Sequence, residues 1–132
     1  MAYNILVVDD SRTMRAMLVK TLRMTELDLG EILVAVDGKD ALEKLKDNWV
    51  DLVLTDLNMP EMTGLELIEA MAANGLFSSV TVIVISTDGS ESRIQQLKHQ
   101  GVREYVRKPF TPEIISEAIL RVLGGTHERT KA

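Results

Sequence analysis

Five times in succession along this chain, a short run of β-branched and aliphatic residues gives way to an amphipathic stretch of helical period. Few architectures accept such an alternation. Residues 5–9, 32–36, 52–56, 80–86 and 102–106 read as strands. The third and fourth, around Leu52-Val53-Leu54 and Val80-Thr81-Val82-Ile83-Val84-Ile85, are almost continuously apolar. Such runs mark parallel strands covered on both faces. Residues 12–24 put Met14, Met17, Leu18 and Leu22 on one helix face. Residues 38–47 gather Ala41, Leu42 and Leu45, and residues 64–73 gather Leu65, Ile68 and Met71. Residues 91–100 carry only a narrow stripe, Ile94 and Leu97, whereas 112–123 are broadly apolar. A helix turns once per ~3.6 residues, so spacings of three and four line up one face. Asp10 or Ser11 can cap the first helix, Thr111-Pro112 can open the last, and Gly124-Gly125 can end it. Consecutive βα units on short loops imply one parallel sheet with right-handed crossovers. The 132 residues fit one domain, expected over 1–125, with a polar tail over 126–132.

In an open parallel sheet, ligands bind beyond the carboxyl ends of the strands. The residues predicted there carry chemistry. The first strand ends in Asp9-Asp10, the third in Asp56 followed by Asn58, and the fourth in Ser86-Thr87. Lys108-Pro109 follows the fifth. Three clustered carboxylates repel one another and favour a cation between them. The candidate ligands are all oxygen, which suits Mg²⁺ with part of its shell left to water or phosphate. An ammonium and a hydroxyl can hold further phosphate oxygens. A carboxylate beside such a metal can itself become a nucleophile and form an aspartyl phosphate. Each residue alone has a plainer reading: Asp10 as a helix cap, Asp56 as a loop opener, Lys108 as a solvated lysine. Their convergence on one sheet edge favours a working site.

Composition removes other classes. A net charge of −5 argues against nucleic acid as the main partner. With no cysteine and two histidines, disulfides, thiolate chemistry and histidine-rich metal sites are out. The apolar stretches are strand-sized and no basic leader precedes the first, so the expected location is the cytoplasm, without membrane insertion.

Five motifs stand in order: Ile5-Leu6-Val7-Val8-Asp9-Asp10-Ser11, Asp37-Gly38-Lys39-Asp40-Ala41-Leu42, Leu52-Val53-Leu54-Thr55-Asp56-Leu57-Asn58-Met59-Pro60, Met62-Thr63-Gly64-Leu65-Glu66 and Val106-Arg107-Lys108-Pro109-Phe110. In this set the chain resembles the response-regulator receiver domains of bacterial two-component systems, over residues 5–123. Among them it is similar to the single-domain, chemotaxis type. The resemblance implies a doubly wound (βα)5 fold of the flavodoxin-like, CheY-like kind, with a five-stranded parallel sheet in the order 2-1-3-4-5. It implies Asp56 as phosphoacceptor, with a histidine kinase as phosphodonor. Asp9, Asp10, Asp56 and the backbone carbonyl of Asn58 would hold Mg²⁺. Ser86 and Lys108 would bind the phosphoryl group, and Lys108-Pro109 would be a cis peptide. Ser86 and Tyr105 would form the switch. A face made of the fourth helix, fifth strand and fifth helix would then bind a downstream protein or phosphatase. The narrow stripe of the fourth helix fits an element that packs lightly and shifts. Apart from its own phosphorylation and dephosphorylation, no enzyme activity is expected.

Three positions depart from the family pattern or tune it. Thr87 stands where family members commonly carry a small residue; its branched side chain is expected to narrow access to Asp56 and slow the chemistry. Asn58 and Asp88 occupy the positions that tune hydrolysis of the phosphoaspartate, in a combination similar to the fast-turnover chemotaxis type.

Rival readings fit less well. A haloacid-dehalogenase-type phosphatase wants a second aspartate two residues after the nucleophile, where this chain has Asn58. A flavodoxin-like carrier wants aromatic residues at the site, and only 4% of residues are aromatic. No P-loop motif occurs. A pseudo-receiver that only binds proteins would not need every active-site position filled with a competent residue. A phosphorelay intermediate, passing phosphate to another histidine, keeps the same chemistry; Tyr105 and Asn58 lean away from it. After the last helix too few residues follow for a DNA-binding module.

Overall fold

The computed structural model describes residues 2–124, apart from 26, 60, 77, 78, 88 and 89. The strands are β1 (Tyr3–Val8), β2 (Leu29–Ala35), β3 (Leu52–Thr55), β4 (Thr81–Ser86) and β5 (Glu104–Arg107). Helices α1 (Arg12–Arg23), α2 (Gly38–Asp47), α3 (Gly64–Ala73), α4 (Glu91–Gln100) and α5 (Pro112–Ile119) alternate with them. A π-helical turn, Leu120–Gly124, continues α5. All strand pairs are parallel, in the order β2-β1-β3-β4-β5, as the resemblance implies.

Successive side chains on a strand point to opposite faces, and both faces are covered here. Leu6, Val8, Val53, Val82 and Val84 point into a core closed by Ala41 of α2, Leu67, Ile68 and Met71 of α3, and Leu97 of α4. Ile5, Val7, Leu52, Leu54, Ile83 and Ile85 point the other way, against Leu18 and Leu22 of α1 and Ile115, Ala118 and Ile119 of α5. The near-continuous apolar character of the third and fourth strands follows directly: β3 is buried at every position and β4 at every position after Thr81.

Local chemistry fixes the helix starts. Ser11, Asp37, Thr63, Ser90 and Thr111 each accept a backbone N–H from the first turn of α1 to α5 in order. At Thr63 the cap is reciprocal, since the Glu66 side chain returns to the Thr63 N–H. Between the two candidates for the first cap, Ser11 serves, which leaves the Asp10 carboxylate out of the helix start.

Strand boundaries shift from the expected ones. β1 and β3 stop one residue early, so Asp9 and Asp56 belong to loops rather than to strand ends. β2 begins at Leu29, paired with Tyr3 across a register shift. β5 spans Glu104–Arg107 rather than 102–106. The Val102 N–H donates to the Leu97 carbonyl and closes α4 behind Gly101, whose φ of 119° is left-handed. That commitment keeps Val102 out of the ladder although it is buried.

Candidate functional site

Parallel strands deliver their carboxyl ends to one edge, and strand order reverses between β1 and its neighbours there. Asp9 follows β1 directly, Asp56 follows β3, Ser86 ends β4 and Lys108 follows β5. Oxygen atoms of Asp9, Asp10 and Asp56 lie within 4.8 Å of one another. Asp9 and Asp56 are buried and Asp10 is exposed. Lys108 reaches across from the far side of the sheet. Its Nζ lies 3.0 Å from Asp56 Oδ2 and 3.3 Å from Asp9 Oδ2.

Backbone donors orient the acids. Asp9 Oδ1 accepts the Ser11 N–H at 2.9 Å, and Asp56 Oδ1 accepts the Leu57 N–H at 2.7 Å. The β3–α3 loop must pass close to Asp56. A Cβ on Gly64 would overlap the Asp56 carbonyl oxygen, so only glycine fits there.

The electrostatics record crowding. Burial pushes the Asp9 carboxyl above the ordinary carboxylate range, and the Asp56 charge adds to it; the Ser11 N–H and the Lys108 ammonium offset this only in part. Burial alone would lower Lys108, but its hydrogen bond to Asp56 and the charge of Asp9 outweigh that and hold the ammonium above its usual value. A half-buried ammonium therefore faces two buried carboxylates. The donor set fits a hard divalent cation: three carboxylates, oxygen only, open to solvent on the Asp10 side.

The remaining expected site residues fall around this centre. Ser86 is fully buried, and its carbonyl accepts the Lys108 N–H at 3.0 Å. The half-buried Tyr105 directs its hydroxyl at the same carbonyl, at 3.5 Å. Thr87 and Asn58 are exposed at the rim. Lys108-Pro109 is cis. Asp88 and the 126–132 tail lie outside the described residues.

Sequence reasoning missed two side chains. Arg15 donates from Nη1 to the Asp9 carbonyl at 2.8 Å. Asp40 accepts the Val36 N–H at 3.0 Å and Lys44 Nζ at 3.0 Å. An arginine four residues after a helix-capping serine was the available signal for the first.

A sequence profile described as "Response regulator receiver domain" matches residues 5–120. Chemotaxis protein CheY1 of Helicobacter pylori (strain J99) is 40% identical over 121 residues, covering 91% of this chain and 96% of that protein. A chemotaxis protein CheY homolog of Campylobacter jejuni is 39% identical, covering 91% of this chain and 92% of that one. The solved structure of Vibrio cholerae chemotaxis protein CheY4 superposes with a TM-score of 0.82 at 31% identity, over 92% of this chain and 99% of that one. No helix among the described residues is long and apolar enough to cross a membrane.

Proposed function

The chain belongs to the response regulator receiver domain family, and on that premise we propose that it is a stand-alone phosphorylation switch of chemotaxis signalling with Asp56 as phosphoacceptor. The observation that carries this reading is the Lys108 ammonium set between Asp56 and Asp9 inside the carboxylate cluster. An Asp56 carboxylate oxygen attacks the phosphorus of a phosphohistidine on a partner kinase. A P–O bond forms, the donor's P–N bond breaks, and the imidazole leaves and takes up a proton. Lys108 neutralises charge on the transferring oxygens. Asp9, Asp10, Asp56 and the Asn58 carbonyl would hold Mg²⁺, which when bound supplies charge neutralisation at the same oxygens.

Output follows from what Lys108 touches. In the unphosphorylated state it pairs with Asp56, while its N–H and the Tyr105 hydroxyl both address the Ser86 carbonyl. A phosphoryl group draws Lys108 and the Ser86 hydroxyl to new oxygens, and Tyr105 responds through that shared carbonyl. Only such differential contacts shift a two-state balance. The face that reads the change comprises α4, β5 and α5. α5 already exposes Ile114, an apolar side chain suited to a protein partner.

Intact-mass analysis after incubation with acetyl phosphate, with and without Mg²⁺, tests the reading. One Mg²⁺-dependent phosphoryl adduct is expected, absent in Asp56→Asn. No adduct in the unaltered protein under either condition would sink it.

A further inference from the structure

The Asp37-Gly38-Lys39-Asp40 stretch has no task in the chemistry above, yet it touches the loop that follows Asp56. The Gly38 N–H donates to the Met62 carbonyl at 3.1 Å, in the loop that follows Asp56. A Cβ at Gly38 would stand 2.7 Å from Met62 Cγ and 2.9 Å from Met62 O, so the α2 start lies flat against that loop. On the other side is Arg15. It is half-buried, and its charge adds a minor share to holding the Asp40 carboxyl below its ordinary range. Asp40 is itself tethered at both oxygens, by the Val36 N–H and by Lys44. The Arg15 guanidinium itself donates to the Asp9 carbonyl, 2.8 Å away.

We infer that Arg15 is a positioning residue of the metal site: it grips the Asp9 carbonyl and sets the turn that presents the Asp9 and Asp10 carboxylates. The inference rests on the proposed metal-binding reading of the acidic cluster. The turn is otherwise held by the Asp9 N–H on the Ala35 carbonyl and by the Ser11 N–H on Asp9 Oδ1. Neither fixes the peptide plane between Asp9 and Asp10, which the Arg15 contact does. Groups in such outer positions commonly change metal affinity by about 10- to 100-fold when removed.

Charge and geometry predict opposite signs, which makes the idea testable. If Arg15 acted only as a cation near the cluster, removing it would relieve repulsion and tighten divalent binding. If it positions the turn, removing it loosens binding despite the gain in negative field. The experiment is an amide NMR titration with MgCl₂ alone, on the full chain, for the unaltered protein, Arg15→Met and Arg15→Lys. Expected is about a 10-fold weaker Mg²⁺ affinity for Arg15→Met, with partial recovery in Arg15→Lys, which keeps the charge but not the planar fork. The metal-free unfolding midpoint of Arg15→Lys should stay near that of the unaltered protein. Should Arg15→Met not fold, Arg15→Lys carries the test by itself: it must still bind Mg²⁺ more weakly than the unaltered protein. Equal or tighter binding in whichever variant is folded overturns the positioning role. No Mg²⁺ response in the unaltered protein overturns the metal reading instead, and this inference with it.

Discussion

The middle of the sheet and its carboxyl rim are built from the same five strands and obey opposite rules. In the middle, Leu54 of β3 sits between Val7 and Ile83, fully buried, and every neighbour gains by its being there. At the rim, a residue or two further on, three carboxylates are drawn together with one ammonium among them. The first region stabilises the fold through buried apolar surface. The second carries the cost of burying charge, and the raised Asp9 carboxyl records it: desolvation first, with the Asp56 charge adding less. The lesson is that the core supports a rim that would not assemble for its own sake.

This contrast implies a reversal of sign between neighbouring substitutions. The largest effect belongs to the middle: Leu54→Ala should lower unfolding free energy by roughly 3 kcal/mol, through lost burial and a residual cavity, as read by urea denaturation. A loss under about 1 kcal/mol would mean that the strand middles are less well packed than they look.

At the rim, Asp9→Asn should do the opposite and stabilise the metal-free protein, because it removes the cost of burying the Asp9 charge. The sign follows from linkage. The folded carboxyl sits above its unfolded value of 3.8, so the folded state binds the Asp9 proton more tightly. Its ionisation therefore costs stability progressively as pH rises through the folded value, and removes nothing below 3.8. The gain from Asn should be present at pH 7 and fade as pH falls toward the unfolded value. A destabilised Asp9→Asn at neutral pH would break the contrast between middle and rim.

The smallest effect lies just outside the cluster. Asp40 is lowered: burial opposes ionisation, but Lys44, the Val36 N–H and the Arg15 charge outweigh it. Its contribution is present above the unfolded value of 3.8 and is lost as pH falls through the lower folded one. The Asp40 and Lys44 side chains are about a third exposed, at 28% and 34%, so screening trims the contribution. Asp40→Asn should therefore destabilise by only ~0.5 kcal/mol at pH 7, checked by thermal unfolding at two salt concentrations. A loss several times larger would show that Asp40 belongs energetically to the rim and not to its surroundings.

Much of this was legible beforehand because it depends on near neighbours in sequence. The unbroken apolar run of Ile5 to Val8 and the i, i+4 spacing of Leu18 and Leu22 report their own burial. The helix starts were legible because a capping side chain acts within three residues. The edges of β2 and β5 were not. Leu29 joins β2 only because Tyr3 is there to pair with it, and Val102 leaves β5 because its N–H closes α4. The π-helical turn after Ile119 left no mark in an apolar pattern that runs through it unchanged.

The site divides the same way. That Asp9, Asp10, Asp56, Ser86 and Lys108 would share one edge followed from sequence, since parallel strands all end on the same side. What each side chain touches was decided by the fold. Lys108 and Asp9 are 99 positions apart and meet at the rim although β3 and β4 stand between their strands. Arg15 looks like a solvated charge on its helix until its Nη1 is found on the Asp9 carbonyl. The sequence by itself determined the alternating elements, the two-sided core and the set of residues at the rim, because each of these is written in local periodicity. Only the tertiary structure decided which charges neighbour which, because Coulomb and hydrogen-bond energies depend on distances of a few ångströms between residues remote in the chain.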